Sequence, residues 1–368
     1  AITYAITSGA LPTGLSINAS TGAITGTAGT VSSDTTSNFT VTATDNENQS
    51  AARAYSITIT NPAPSDSFGA LLWTGDNSNS RSITGLGFKP DLVWIKRRGS
   101  SAESHALYDS SRGPNKQLSS DSSVAEATNS GSYLGLSSFD TDGFTLGNNG
   151  GTNRSPHTYV GWCWKANGGN TSSNSDGSIT TTVQTNNTIG FSIITYTGDG
   201  ASTSTIGHGL NSAPELVLIK TRSHTSDWPV YSSGTTNASY RLVLNSENAE
   251  NTSNNPWNST APTSSVIHLG GSGNVNISGR TFVAYAFHSA AGFSKIGTYT
   301  GNGSDYGPIV NTGFEPAFLM IKRSDGTGNW VMYDNKRSTA NTRNKLLFVN
   351  DSATEQTLGY VDFLSNGF

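Results

Sequence analysis

Short runs in which apolar and polar residues alternate, each closed by glycine, asparagine or serine, recur along the whole chain. In Phe39-Thr40-Val41-Thr42-Ala43-Thr44-Asp45 and Tyr55-Ser56-Ile57-Thr58-Ile59-Thr60, alternate side chains fall on one face, the period of a strand buried on one side. A second kind of run is apolar at successive positions: Leu92-Val93-Trp94-Ile95, Leu216-Val217-Leu218-Ile219 and Phe318-Leu319-Met320-Ile321. A strand of that kind needs cover on both faces. Turn residues about every 8–12 positions then predict antiparallel strands in two-layer β-sandwiches. No stretch carries a helical period, so the fold class is all-β.

The doubly apolar run belongs to a repeat. Pro90-Asp91-Leu92-Val93-Trp94-Ile95-Lys96 returns as Pro214-Glu215-Leu216-Val217-Leu218-Ile219-Lys220 and as Pro316-Ala317-Phe318-Leu319-Met320-Ile321-Lys322. Before each stands an aromatic-Thr-Gly turn at Trp73, Tyr196 and Tyr299, and after each a tyrosine landmark, Tyr108-Asp109, Tyr231-Ser232 or Tyr333-Asp334. The first two copies close on matching strands at 158–165 and 281–288. The third stops at Phe363-Leu364-Ser365-Asn366-Gly367-Phe368, the counterpart of Phe139-Asp140-Thr141-Asp142-Gly143-Phe144, and is expected to lack its last strand.

A repeat of about 100 residues is the size of a domain, well above a solenoid rung. The expected organisation is therefore beads on a string: tandem sandwiches at 65–167 and 189–292, and a truncated third at 293–368. Residues 168–188, rich in Gly, Ser, Asn and Thr, read as a flexible linker between the first two. The opening Ala1-Ile2-Thr3-Tyr4-Ala5-Ile6 already alternates like a strand, as in a chain excised from a longer one.

Residues 1–62 differ from the repeat. Leu11-Pro12-Thr13-Gly14-Leu15-Ser16-Ile17 and Thr21-Gly22-Ala23-Ile24-Thr25-Gly26-Thr27 are short strands set off by glycine turns, followed by the two alternating strands above. This pattern resembles an Ig-like, cadherin-like family of bacterial and phage surface proteins, with Ala28 where proline is usual, and implies an Ig-like β-sandwich. Pro62-Ala63-Pro64-Ser65 reads as a stiff linker after it. The run from Trp73 to Ala166 is similar to a domain of unknown function found in tandem in tail-fibre and structural proteins of marine bacteriophages. That resemblance implies a virion role and no known chemistry.

Composition narrows the partners. Hydrophobic residues are 33% and charged residues 12% of the 368, yet 14 Phe, 13 Tyr and 7 Trp accompany the β-branched runs, which a disordered chain lacks. A net charge of −4 with scattered Lys and Arg gives no footprint for nucleic acid. The apolar runs fall short of the roughly 20 residues that cross a bilayer, so no membrane insertion is expected. The single cysteine, Cys163, leaves no internal disulfide and reads as a small buried strand residue.

Candidate chemistry is sparse. Asp109, Asp140 and Asp142 are the best carboxylate cluster, but the third copy has Leu364 and Asn366 where the first has Asp140 and Asp142. A catalytic pair of the glycosidase kind thus fails within the repeat, and an Asx turn ending at Gly143 explains the residues instead. Calcium is the one cofactor considered, at Asp45 or at Asp140 and Asp142, against plain solvated turns. The six histidines form no zinc pattern and are expected at the surface. For sugar contact the candidates are Trp228, Trp257 and Trp330, each in a polar context beside Asp227, Asn258 or Asn329, against packing between modules or subunits.

The function expected from these readings is a non-catalytic virion protein of tail-fibre or adhesin type, at the virion surface or extracellular. Its expected partners are other virion proteins, copies of itself as a homo-oligomer such as a trimer, and a host cell-surface glycan. The alternatives are a capsid decoration or fibril subunit without a receptor role, and a glycan depolymerase.

Overall fold

The computed structural model describes residues 1–29, 35–59, 67–99, 101–130 and 134–368; the proposed linker at 62–65 lies outside them. The chain forms two compact units, Ala1–Ala63 and Pro64–Phe368. The architecture is all-β, and among the described residues the strand-to-strand pairings are antiparallel, with one isolated parallel bridge between Ile179 and Ile206.

The first unit has strands β1 (Thr3–Gly9), β2 (Leu15–Ile17), β3 (Ile24–Gly26), β4 (Thr35–Thr44) and β5 (Ser50–Ile59), arranged as a β1-β4-β5 sheet and a β2-β3 hairpin. The hairpin explains one glycine of the motif. Gly26 has φ +129, and a Cβ there would fall 2.1 Å from the Gly14 carbonyl oxygen. Among the described residues of this unit Phe39 is the one buried large apolar side chain, stacked on Tyr55 at 6.0 Å. Its small core fits a module of this length.

In the second unit the first segment holds β6 (Phe68–Thr74), β7 (Arg81–Thr84), β8 (Leu92–Arg97), β9 (Ala106–Asp109), β10 (Lys116–Gln117), β11 (Ala127–Thr128), β12 (Leu136–Asp140), β13 (Gly143–Leu146) and β14 (Thr158–Trp164). The second segment holds β15 (Ser172–Asn174), β16 (Thr181–Asn186), β17 (Phe191–Thr197), β18 (Thr203–Gly207), β19 (Leu216–Thr221), β20 (Pro229–Ser232), β21 (Leu242–Val243), β22 (Val266–Gly270) and β23 (Thr281–Phe287). The third holds β24 (Phe318–Ile321), β25 (Val331–Asp334), β26 (Arg343–Phe348) and β27 (Gln356–Val361).

Each segment is built on one principal sheet: β6-β14-β8-β9, β15-β16-β17-β23-β19-β20-β21, and β24-β25-β26-β27. In the first two a small sheet covers the outer face, β12-β13-β7 and β18-β22 respectively. Val93, Ile95 and Tyr159 meet Ile83, Phe144 and Leu146 in the first sandwich; Val217, Ile219 and Phe282 meet Ile206, Ile267 and Leu269 in the second.

The other face of each doubly apolar strand points inward to a shared core. Leu92, Trp94, Leu107 and Trp162 of the first segment, Leu218, Trp228, Val230 and Tyr285 of the second, and Trp330, Met332 and Leu347 of the third form one buried cluster. Phe318 of the third lies within 6 Å of Phe68, Trp162 and Trp164 of the first, ring centre to ring centre. The three segments are therefore not separate beads. Leu92 to Ile95 is covered on both sides as its pattern requires, but one cover is its own sandwich and the other is the neighbouring segments.

Residues 168–188 are likewise not a free linker. They supply β15 and β16 at the edge of the second principal sheet, because the β-branched run around Ile179 and Val183 buries those two side chains in the second sandwich. Gln184 beside them is fully buried and donates to Ser110 Oγ and Ser111 Oγ of the first segment.

Candidate functional site

Two sets of residues that recur between segments, the shared-strand lysines and the rings three places before the tyrosine landmarks, lie at the seams of the shared core. The rings, the lysines and the arginines Arg98 and Arg222 that cross the seams reach in one sense, the second segment to the first, the third to the second and the first to the third, so the ring closes; backbone N–H groups of Glu126, Glu250 and Glu355 donate back the other way.

Three residues before each tyrosine landmark stand His105, Trp228 and Trp330. The Trp228 indole N–H donates to the Ser119 carbonyl at 2.9 Å, and that of Trp330 to the Val243 carbonyl at 3.0 Å. His105 Nε2–H donates to the Phe348 carbonyl at 2.7 Å; its tautomer is fixed by Trp94 Nε1–H, which donates to Nδ1 at 2.8 Å. The three accepting residues occupy one register position, each following the residue that faces Leu107, Val230 or Met332. Burial first, then the charge of Lys96, pushes the His105 pKa down to about 3, so the ring is neutral.

The lysine that ends each shared strand makes the next link. Lys96 Nζ donates to the Ser352 carbonyl at 2.9 Å, Lys220 to Ser123 at 2.8 Å and Lys322 to Glu247 at 3.2 Å. The same three carbonyls accept the backbone N–H of Glu103, Ser226 and Gly328. Burial pushes Lys96 and Lys220 down to about 8. Beside them Arg98 grips Glu355 and Arg222 grips Glu126 through two parallel bonds each, between 2.8 and 3.0 Å. At the third seam Glu250 N–H donates to the Ser324 carbonyl at 2.8 Å, with serine in the arginine's place.

The closing strands provide the deepest contacts. Tyr285 of β23 donates its hydroxyl to Asp109 Oδ2 at 2.7 Å, and Trp162 of β14 donates its indole N–H to Asp334 Oδ2 at 3.0 Å. Asp109 is paired with Arg112 and Asp334 with Arg337, all four side chains fully buried. Arg112 reaches on to Glu126 and Arg337 to Glu355, joining these pairs to the lysine and arginine links. Such a network carries no free nucleophile or base. It fastens three sheets together.

The proposed sugar-contact residues are part of that fastening. Trp228, Trp257 and Trp330 are 0%, 1% and 3% exposed, so none offers a ring face to a ligand. Asp227 and Asn329 accept Asn245 and Asn350 side-chain N–H groups at 3.0 and 2.7 Å and so clamp the loops behind Trp228 and Trp330. Trp257 packs edge-on against Tyr231 inside the second sandwich, and Asn258 sits in the turn after it, with φ +51. A lone tryptophan among polar neighbours looks exposed in sequence; for Trp228 and Trp330 the shared distance from the tyrosine landmark is a sign of a buried role, and Trp257 has no such sign.

The carboxylates are equally committed. Asp140 accepts the hydroxyls of Ser138 and Thr145, and Asp142 accepts the N–H groups of Gly85 and Gly87. Asp45 caps its own turn through the N–H groups of Glu47 and Gln49. Among the described residues no group of three His, Cys, Asp or Glu side chains could hold a metal ion. The histidines divide: His105 and His208 are fully buried and His288 nearly so, contrary to the surface expectation, because their ring nitrogens bond backbone groups. Burial pushes the thiol pKa of Cys163 upward within β14. A polar groove of about 590 Å³ lies in the third segment, lined by Ser338, Asn341, Thr342, Asn344 and Thr357 among others.

Residues 63–368 match the family described as Domain of unknown function (DUF7483), and residues 1–60 the one described as Putative Ig domain. The first match spans all three segments. No curated protein and no solved structure matches the chain.

Proposed function

The chain belongs to the DUF7483 family, and on that footing we propose that it is a non-catalytic structural subunit of a bacteriophage virion, of fibre or tail type, with an Ig-like spacer before a single-chain threefold body. The observation that carries this reading is the use made of the recurring residues: His105, Trp228, Trp330 and the aspartate–arginine pairs all serve the seams. The body is read as three related domains on one polypeptide. A threefold fibre ordinarily takes three chains; one chain here supplies three sheets about one core, which supports reading the body as threefold within a single chain.

The experiment is immunogold labelling of particles with antibody to the second unit, joined to native mass measurement of the purified chain. Label on projecting fibres and a one-chain mass support the reading. Particles without label, or a purified chain that releases reducing sugar from host polysaccharide, would overturn it.

Host attachment through a glycan is the second reading, and the hydroxyl and amide lining of the groove at Ser338 to Thr357 favours it. Binding on a glycan array that Asn341→Ala and Asn344→Ala abolish together would place the contact there.

A further inference from the structure

Among the described residues five arginines are buried, and four of them face a carboxylate: Arg97 faces Glu103, Arg112 Asp109, Arg337 Asp334 and Arg343 Glu315. Arg241 is the fifth, 7% exposed, and no described carboxylate lies within ion-pair distance of it. Its one side-chain hydrogen bond among the described residues runs from Nε–H to Asn251 Oδ1 at 3.4 Å. Nη1 is buried without a partner. Asp227, the carboxylate whose charge reaches it, accepts an N–H of Asn245 instead. A buried charge left in this way is costly unless a group from outside the chain pairs with it.

The first segment has the same place closed. Leu107 pairs with Leu118, which sets Tyr108 opposite Gln117; Tyr108 donates its hydroxyl to Gln117 Oε1 at 2.8 Å, and Asn129 Nδ2 donates to both. In the second segment Val230 pairs with Leu242, both facing the shared core, which sets Arg241 opposite Tyr231 on the outer face of the sheet. A guanidinium that only donates stands where the first segment has an amide that also accepts. Trp257, on the loop at 244–265, lies edge-on to Tyr231 at 5.8 Å. Its indole N–H is a second buried donor without a partner, whereas those of Trp73, Trp94, Trp162, Trp228 and Trp330 all donate. Tyr231 therefore neighbours two unpaired donors, one of them charged.

We propose that Arg241 anchors a site for one small oxyanion, a carboxylate or a phosphate, with the Trp257 N–H as its neutral companion donor. The planar fork of the guanidinium, whose Nη1 and Nη2 are both without hydrogen bonds among the described residues, offers two parallel bonds to either anion. The carboxylate of an acidic sugar and free phosphate share this chemistry. The site stands on the unpaired guanidinium and not on the virion reading.

The test titrates the full chain with sodium phosphate, sodium glucuronate and glucose by calorimetry. One oxyanion per chain should bind at millimolar concentration, and glucose should not. Arg241→Gln, which installs the first segment's amide, should weaken binding about tenfold or more, the worth of a charge-assisted hydrogen bond. Arg323→Gln, at an exposed arginine of the third segment, should leave it unchanged. Tighter glucuronate binding assigns the occupant to an acidic sugar and tighter phosphate binding to a phosphate, and both support the site. On the unaltered chain, bound anion should slow hydrogen exchange in the loop at 244–265, a readout that survives if Arg241→Gln fails to fold. No binding by either anion, binding that Arg241→Gln leaves intact, or exchange slowed evenly along the chain overturns the proposal.

Discussion

Replacing Arg112 with alanine is expected to remove about 3–5 kcal/mol of stability, the cost of leaving a buried charge without its partner. Arg112 holds Asp109 through its side chain and backbone N–H, Glu126 at 2.9 Å and the Leu107 carbonyl at 3.2 Å. Without it, Asp109 stays fully buried with only the Tyr285 hydroxyl and backbone N–H to face it. The second segment shows how the same place is built without charge, with Ser232 and Thr235. The double variant Asp109→Ser with Arg112→Thr should therefore cost less than Arg112→Ala alone, since both charges leave together. Denaturant midpoints of the two variants decide it. A loss below about 1 kcal/mol for Arg112→Ala would mean that the pair does not hold the seam.

Acidification should loosen the seam at His105. The unfolded chain takes a proton there near the ordinary value of 6.5 and the folded chain only near about 3. Between those values the unfolded state holds more protons, so stability falls as pH falls, by about 1.4 kcal/mol per pH unit at most. At about pH 4 the loss attributable to this ring reaches about 3 kcal/mol. Geometry gives the reason: Nδ1 already accepts Trp94 Nε1–H, and a proton placed on it would face that N–H inside the core. Asp121, whose carboxylate accepts the His105 backbone N–H, is shifted upward by burial and works in the opposite direction. The measurement is accordingly a difference between two proteins.

The other segments supply the comparison. Where the first has Trp94 and His105, the second has Leu218 and Trp228 and the third Met320 and Trp330. The ring that reaches the neighbouring carbonyl and the side chain behind it exchange bulk together. Trp94→Leu with His105→Trp transplants the second segment's pair and should flatten the acid limb, whereas His105→Trp alone overpacks the core at a cost of about 1–3 kcal/mol. An unchanged acid limb in the double variant would move the sensitivity elsewhere.

Much of this was legible in the sequence. Alternation located the strands of the first unit, and the repeat located β8, β19 and β24 with their tyrosine landmarks. The doubly apolar pattern of Leu92 to Ile95 correctly demanded two covers. It could not tell whether the second cover comes from the same domain or from its neighbours, because an apolar face carries no address. The same limit put Trp228 and Trp330 at the surface: Asp227 and Asn329 are polar, and their partners Asn245 and Asn350 lie far along the chain. Residues 168–188 misled through composition, in which serine, threonine and asparagine outnumber the two side chains, Ile179 and Val183, that bind them to the sheet. Arg112 and Arg337 went unnoticed because a conventional surface residue and a buried ion pair look alike until the fold brings Asp109 and Asp334 together with a closing strand.

The claim on which everything else depends is that the three segments share one core. Hydrogen exchange of residues 64–368 in increasing denaturant, read at β8, β19 and β25, tests it most directly. A shared core predicts that all three strands lose protection at one midpoint, as a single cooperative unit. Three separate midpoints, with residues 65–167 keeping their protection when produced alone, would contradict it.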